Sequence, residues 1–266
     1  MKVAAKDLRD FMIGSAIFSQ GQPEDFYKSL TLIEDFEKRG LSVELIDPDK
    51  VPDDAMVCQV AQRAGGGWEE RREGEVEELL SLGPGILDTY KKRDWSTYRK
   101  SLARVPGELA KAIGKDFYSY VTICTSSSQG VVSMYVAAMD GKPCIDADLA
   151  GTAMTPHLDT VARVPYAPAQ AGVTPYGETV IIKDASPGRA FTFLNLIHYA
   201  CGSWFVAMAS GVAPMKEYKR CIVKNQNSRM IKVGRVVREA REKGRDPVAA
   251  FMKAAPAHKL FEGVVE

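Results

Sequence analysis

The period of the apolar pattern changes repeatedly between Tyr118 and Met154, and this stretch organises the rest of the chain. An apolar, β-branched run ending at Cys124 reads as a strand. The small polar loop Thr125-Ser126-Ser127-Ser128-Gln129-Gly130 follows, then a helix-like segment to Met139 and a second short strand from Pro143 to Asp146. The order predicts a strand-loop-helix-strand unit. Parallel strands need such a crossover, and open α/β sheets bind ligands at the carboxyl ends of their strands. The serine loop and a second loop holding Asp146 and Asp148 are therefore expected side by side on one sheet edge.

Helical spacing from about Ala5 to Phe18 predicts a helix with Asp7 as its N-cap. Pro23, Glu24 and Asp25 suit the start of a second helix, and Gly40 its end. Ser42 to Ile46, AMVCQVAQR and ETVIIKDA read as strands. The stretch from Ile86 to Lys115 reads as helical, with breaks near Asp94 and at Pro106-Gly107. A buried helix from Arg189 to about Cys201 precedes a strand from Trp204 to Met208. Asn227 to Gly244 forms an amphipathic helix whose basic face is expected to be solvated, DPVAAFMKAA a short helix capped by Asp246, and LFEGVV the start of a strand. Residues 64–85 read as a mobile surface loop. Four prolines, Pro156, Pro165, Pro168 and Pro175, argue against a long regular element over 155–177. The pattern fits one α/β domain over residues 1–266, with a largely parallel sheet flanked by helices.

Composition narrows the function. The 266 residues are 45% hydrophobic and 26% charged with a net charge of +1, which gives no electrostatic case for nucleic acid or a membrane surface. No apolar run is long enough to span a bilayer. Charges near the start, at Lys6, Asp7, Arg9 and Asp10, interrupt the place where a signal peptide needs its apolar centre, so a cytoplasmic protein is expected. The five cysteines are scattered and odd in number, which suits reduced thiols. With three histidines, a metal site would lean on carboxylates or thiolates.

Asp146 and Asp148 are candidates to hold a divalent cation or to supply a general base, since alternation puts both on one side of an extended segment. The structural alternative is that one caps a helix and the other anchors a loop. His157 is the histidine nearest the pair in sequence, a candidate acid-base group or metal ligand, or else an exposed residue at a helix start. Cys124 fits either a nucleophile or a buried thiol. Ser126, Ser127 and Ser128 can offer hydroxyls and amides to an oxyanion or phosphate, or cap the next helix. His198, in an apolar run, reads as a core histidine.

Several patches in order along the chain resemble the N-terminal domain of the S-methyl-thiohydantoin desulfurase family, associated with hydantoinase and oxoprolinase proteins. They are FMIGSAIFSQGQPEDFY, SVELIDPDKVPDDAMV, MYVAAMDGKPCIDADLAGTAMTPHL, SRMIKVGRVVREA and DPVAAF. The family's glycine-rich first turn falls at Ser19-Gln20-Gly21-Gln22-Pro23-Glu24, where Gly21 alone is kept. Its acidic residue, paired glycines and asparagine fall at Cys124, Ser126, Ser127 and Gln129, and its arginine and glutamate at Thr152 and His157. Asp146, Asp148 and Gly151 are kept. The resemblance implies a hydrolase or lyase acting on a small cyclic amide or thiohydantoin-type ring. Asp146, Asp148 and His157 would be its catalytic or metal-binding residues, and Gln20, Gly21, Cys124, Ser126, Ser127, Ser128, Gln129, Gly151 and Thr152 would line the ligand. A non-catalytic homologue acting as a subunit of a larger assembly is the alternative, and either fits a homo- or hetero-oligomer. Relatives continue into a β-rich C-terminal domain, which this sequence is expected to lack.

Overall fold

The computed structural model describes residues 1–19, 26–63, 94–151, 169–201 and 205–263. In chain order its elements are β1 (Lys2–Val3), α1 (Ala5–Phe18), α2 (Phe26–Lys38), β2 (Val43–Ile46), β3 (Met56–Arg63), α3 (Trp95–Ile113), β4 (Ser119–Thr122) and α4 (Ser127–Met139). There follow β5 (Cys144–Asp148), β6 (Ala169–Val173), β7 (Thr179–Lys183), α5 (Pro187–Ala200), β8 (Val206–Pro214), the single turn α6 (Met215–Tyr218), β9 (Val223–Lys224), α7 (Gln226–Glu242) and α8 (Pro247–Ala254).

The strands form one sheet in the order β1-β2-β5-β4-β3-β8-β6-β7, with β9 against the end of β5. Its centre, β2-β5-β4-β3, is parallel. Every residue of β4 and β5 is buried, as parallel strands covered on both faces require. Outside that centre the pairs β1/β2, β3/β8, β6/β8, β6/β7 and β5/β9 are antiparallel. The mixed α/β fold with a parallel central sheet flanked by helices is thus the one the sequence pattern predicts. On one face, Cys58, Val60, Tyr120 and Cys144 pack against Phe11, Leu32, Leu102, Val131 and Met230 of α1, α2, α3, α4 and α7. On the other, Val57, Ala61, Val121, Ile145 and Ala147 pack with Met215 and Tyr218 of α6. Among the described residues no helix is long and apolar enough to cross a membrane.

Several local expectations are corrected. Asp7 is not the N-cap of α1, which is Ala4; Asp7 sits three residues further on and its carboxylate accepts the Ala4 N–H at 2.9 Å. Pro106 does not break α3, which runs through it. The ring costs the helix one hydrogen bond to Leu102, but Leu102, Val105 and Leu109 are all fully buried and their packing holds the helix together. Asp94 starts α3 rather than breaking it, accepting the Ser96 N–H at 2.8 Å. β6 lies inside the proline-rich stretch: its residues, AQAGV, are small and buried on both faces, so they show no alternation to read. β8 extends to Pro214, well past Met208. β5 runs to Asp148, so both aspartates belong to the strand and not to the loop after it. Residues 260–263 form no strand. The basic face of α7 is not simply solvated: Arg235 and Arg238 reach back to Asp7 and Asp10 of α1, each at 2.6 Å. The loop expected over residues 64–85 lies outside the described residues.

Candidate functional site

The β4-α4-β5 unit brings the two loops together as its pattern requires. β4 stops at Thr122, and Ser126, in extended conformation, caps α4 by accepting the Gln129 N–H at 3.2 Å. A helix start following a strand end in this way throws Thr125 toward the neighbouring strand β5. There its hydroxyl donates to Asp148 Oδ2. Asp148 Oδ1 accepts the N–H groups of Gly151 at 2.7 Å and Ala150 at 3.2 Å. Gly151 adopts a left-handed backbone, φ 71°, which lets the chain turn back over the carboxylate. The amide of Gln226, at the start of α7, closes the network by donating to Thr125 Oγ1 at 2.9 Å and to the Gly151 carbonyl at 2.8 Å.

Asp146, one pleat earlier, faces the same helix. Its Oδ1 accepts the Ser228 N–H at 2.9 Å and its carbonyl accepts the Asn225 N–H at 2.7 Å. Asn225 has a positive φ and makes no side-chain cap, so Asp146 supplies the cap of α7 from across the sheet. Asn227 then donates to the carbonyls of Ile145 at 3.0 Å and Ala147 at 3.3 Å. One aspartate thus caps a helix, though not the helix next in sequence, and the other anchors a loop.

Asp148 also has a chemical property of its own. It is completely shielded from solvent, and burial pushes its carboxyl up to about 6 against the opposing hydrogen bonds of Thr125, Gly151 and Ala150. Near neutral pH it is close to its own midpoint. The consequence for stability has a definite sign. The folded chain holds a proton that the unfolded chain releases at about 4, so the contribution is complete below that pH and is lost as pH rises through about 6. Urea unfolding should therefore show roughly 2 kcal/mol more stability at pH 4.5 than at pH 7.5 from this group. Asp148→Asn should remove that component of the pH dependence, and an unchanged slope in the variant would contradict the assignment.

The remaining candidates separate. Gln129 faces β3, not the carboxylates: its Oε1 accepts the Gln62 N–H at 3.0 Å and its Nε2 donates to the Gln62 carbonyl at 2.8 Å. It thereby satisfies the part of β3 that extends beyond β4. Ser128 is half-buried with its hydroxyl 3.4 Å from that of Ser126. Ser127 and Cys124 are buried in the core, as is His198. Among the described residues, no three His, Cys, Asp or Glu side chains lie close enough together to hold a metal ion. Gln20, Gly21, Thr152 and His157 lie outside the described residues. Gln226 and Asn227 were not among the sequence candidates. Their signal was the polar run Asn225-Gln226-Asn227-Ser228 immediately ahead of an amphipathic helix.

With this geometry in hand, the comparisons with known proteins are consistent along the chain. Residues 6–183 match the S-Me-THD-like N-terminal domain and residues 193–266 the S-Me-THD-like C-terminal domain. The second match overturns the expectation that the C-terminal domain is lacking. Its described part contributes β8, which pairs with β3 and β6, and α7, which supplies Gln226 and Asn227, so it is woven into the same sheet and offers no composition break to read. The fold is similar to the crystal structure of a protein from Chromobacterium violaceum, with a TM-score of 0.67 and 20% identity. That likeness covers 91% of this chain and 62% of the other, so this chain spans less than two thirds of that protein's length. None of the curated proteins matches the sequence.

Proposed function

The chain belongs to the S-Me-THD-like family, and from that premise we propose that it acts as a hydrolase or lyase on a small cyclic amide or thiohydantoin-type ring, with Asp148 taking up and returning the proton. The observation that supports this reading is the position of Asp148. A carboxyl with its midpoint at about 6 stands at the carboxyl end of a parallel strand, where α/β sheets place their ligands. A general base works best when its midpoint lies near the working pH, because it is then both free to accept the proton and able to return it. Thr125, itself held by the Gln226 amide, fixes the carboxylate in one orientation, and the 149–151 turn covers it.

The test is turnover of hydantoin, thiohydantoin and lactam rings by the purified chain across pH. One ring should be consumed, with a rate that rises through an inflection near 6. Asp148→Asn should lower kcat at least a hundredfold while the chain stays folded, the usual scale for losing a positioned acid-base group. Consumption that is equally fast in the Asp148→Asn chain would sink this reading.

A second reading is that the chain is a non-catalytic subunit of a larger hydantoinase-like assembly. It is favoured by Asp146 Oδ1 and by both amide atoms of Gln129, which are occupied with backbone groups of the fold itself. Under that reading no ring in the panel is consumed at any pH and the chain is recovered from its source bound to a second polypeptide.

A further inference from the structure

The helical layer carries a groove of about 530 Å³ between α1, α2 and α7. Arg9, Ile13 and Ile17 follow one another at i, i+4 and i+8 along α1 and form one stripe of it. The stripe is set apart from Leu8 and Phe11, which are fully buried in the core. Met12 and Val237, both buried, make the floor of the groove. Ile17, Phe26 and Leu30 stand on its walls, 39%, 39% and 37% exposed. Single exposed apolar side chains need no explanation, but these three stand together around one concavity.

The two ends of the groove are chemically unlike. Arg9, near the start of α1, pairs at 2.8 Å with Glu37, near the end of α2. α7 runs against α1, with Gly234 opposite Asp10 and Met230 opposite Gly14, so Arg241 in its last turn comes to the same end. At the other end stand Ile17 and Phe26, where α1 finishes and α2 begins. Arg241 is exposed and makes no ion pair or side-chain hydrogen bond among the described residues. From Arg9 to Ile17 the helix rises about 12 Å, the length of an extended alkyl chain of about ten carbons.

We propose that this groove binds one free medium-chain carboxylate, a fatty acid whose head lies at Arg241 and whose chain runs along α1 toward Phe26. The guanidinium of Arg241 offers two parallel N–H groups to the two oxygens of a carboxylate, and Arg9 adds a second positive charge beside it. The chain covers Ile17, Phe26 and Leu30 and removes their apolar surface from water. A concavity of this volume, apolar with a few polar groups at one end, is of the kind that holds small ligands. The polarity of the groove sets its selectivity: a short acid lacks the apolar contact, and a cation of equal length meets two like charges. The site lies among the helices and does not rest on Asp148.

The test is a calorimetric titration of decanoate into the full chain at neutral pH, below the concentration at which decanoate forms micelles. Decanoate should bind one to one. Butyrate, with the same head and a short chain, and decyltrimethylammonium, with the same chain and the opposite charge, should not. Arg241→Gln should weaken binding at least about tenfold, the effect of one lost charge-assisted hydrogen bond. Leu30→Ser should weaken it severalfold through lost apolar contact. Both positions are exposed, so without ligand both variants should melt close to the wild type, and Ile17→Ser serves if Leu30→Ser fails to fold. Asp148→Asn should bind decanoate as the wild type does. The proposal is overturned if the wild type shows no saturable binding, or if decyltrimethylammonium binds as well as decanoate, which would leave an apolar face that recognises no head group. Wild-type affinity in both Arg241→Gln and Leu30→Ser would put decanoate elsewhere and overturn it too. A chain that binds no decanoate but dimerises, and that Leu30→Ser turns into a monomer, would assign the groove to a second copy and likewise overturn the proposal.

Discussion

Gly234→Val should lower the stability of the chain by about 3 kcal/mol or more, enough to leave much of it unfolded at 37 °C if it has ordinary stability. α1 and α7 cross with their backbones in contact. A Cβ on Gly234 would lie 1.7 Å from the Asp10 carbonyl oxygen and 2.8 Å from the Gly14 nitrogen. On the facing helix, a Cβ on Gly14 would lie 2.0 Å from the Met230 carbonyl oxygen. Backbone atoms cannot rotate away as a side chain can, so any substituent has to push the helices apart. That separation also loosens Leu8, Phe11, Met230 and Ile231, all fully or almost fully buried between these helices and the sheet. It would further disturb the site, because α7 carries Gln226 and Asn227 at its start. Gly234→Ala should show the same direction with a smaller loss. A midpoint of urea unfolding unchanged in Gly234→Val would mean that the helices do not meet as described.

Asp10→Ala should cost about 3 kcal/mol. The carboxylate is fully buried at the same crossing and accepts from Arg238 Nε at 2.6 Å and Nη2 at 3.2 Å, with Arg235 Nε at 3.5 Å. Its removal leaves the partly buried Arg238 without its main partner. The penalty of that stranded charge, more than the value of the pair, sets the size of the effect. It stays below the top of the range for a fully buried pair because Arg235 is half-exposed and Arg238 keeps Glu242 at 2.9 Å. Asp10→Asn, which retains an acceptor, should fall between the two. The check is the urea midpoint of the three chains; equal midpoints would contradict the account of the crossing.

The sequence showed some of this and concealed the rest for physical reasons. The β4-α4-β5 unit was readable because an apolar run, a polar loop with a capping serine and a small-residue helix each have their own period. β6 was not, because AQAGV is buried on both faces and flanked by prolines, which leaves neither alternation nor bulk to detect. Both aspartates could be picked out as candidates, but their partners could not. Asp146 caps α7, about 80 residues away in the chain, Asp148 is tied to Gln226 of the same helix start through Thr125, and the pairing of β9 with β5 brings that helix start to the strand. Gln129 is the converse case: it stands in the polar loop as a ligand candidate would, yet the unequal lengths of β3 and β4 give it backbone groups to satisfy. The helix through Pro106 was misread because local propensity says nothing of the burial of Leu102, Val105 and Leu109.

The central claim is that burial lifts the Asp148 carboxyl so that it exchanges its proton near pH 6. It is tested most directly by a carbon NMR titration of the aspartate carboxyl groups, with Asp148→Asn used to assign the resonance. The account predicts one buried aspartate titrating at about 6 and absent from the variant. A resonance for Asp148 that titrates at or below the ordinary aspartate value of about 4 would contradict it, and would leave the carboxylate as an anchor of the 149–151 turn alone.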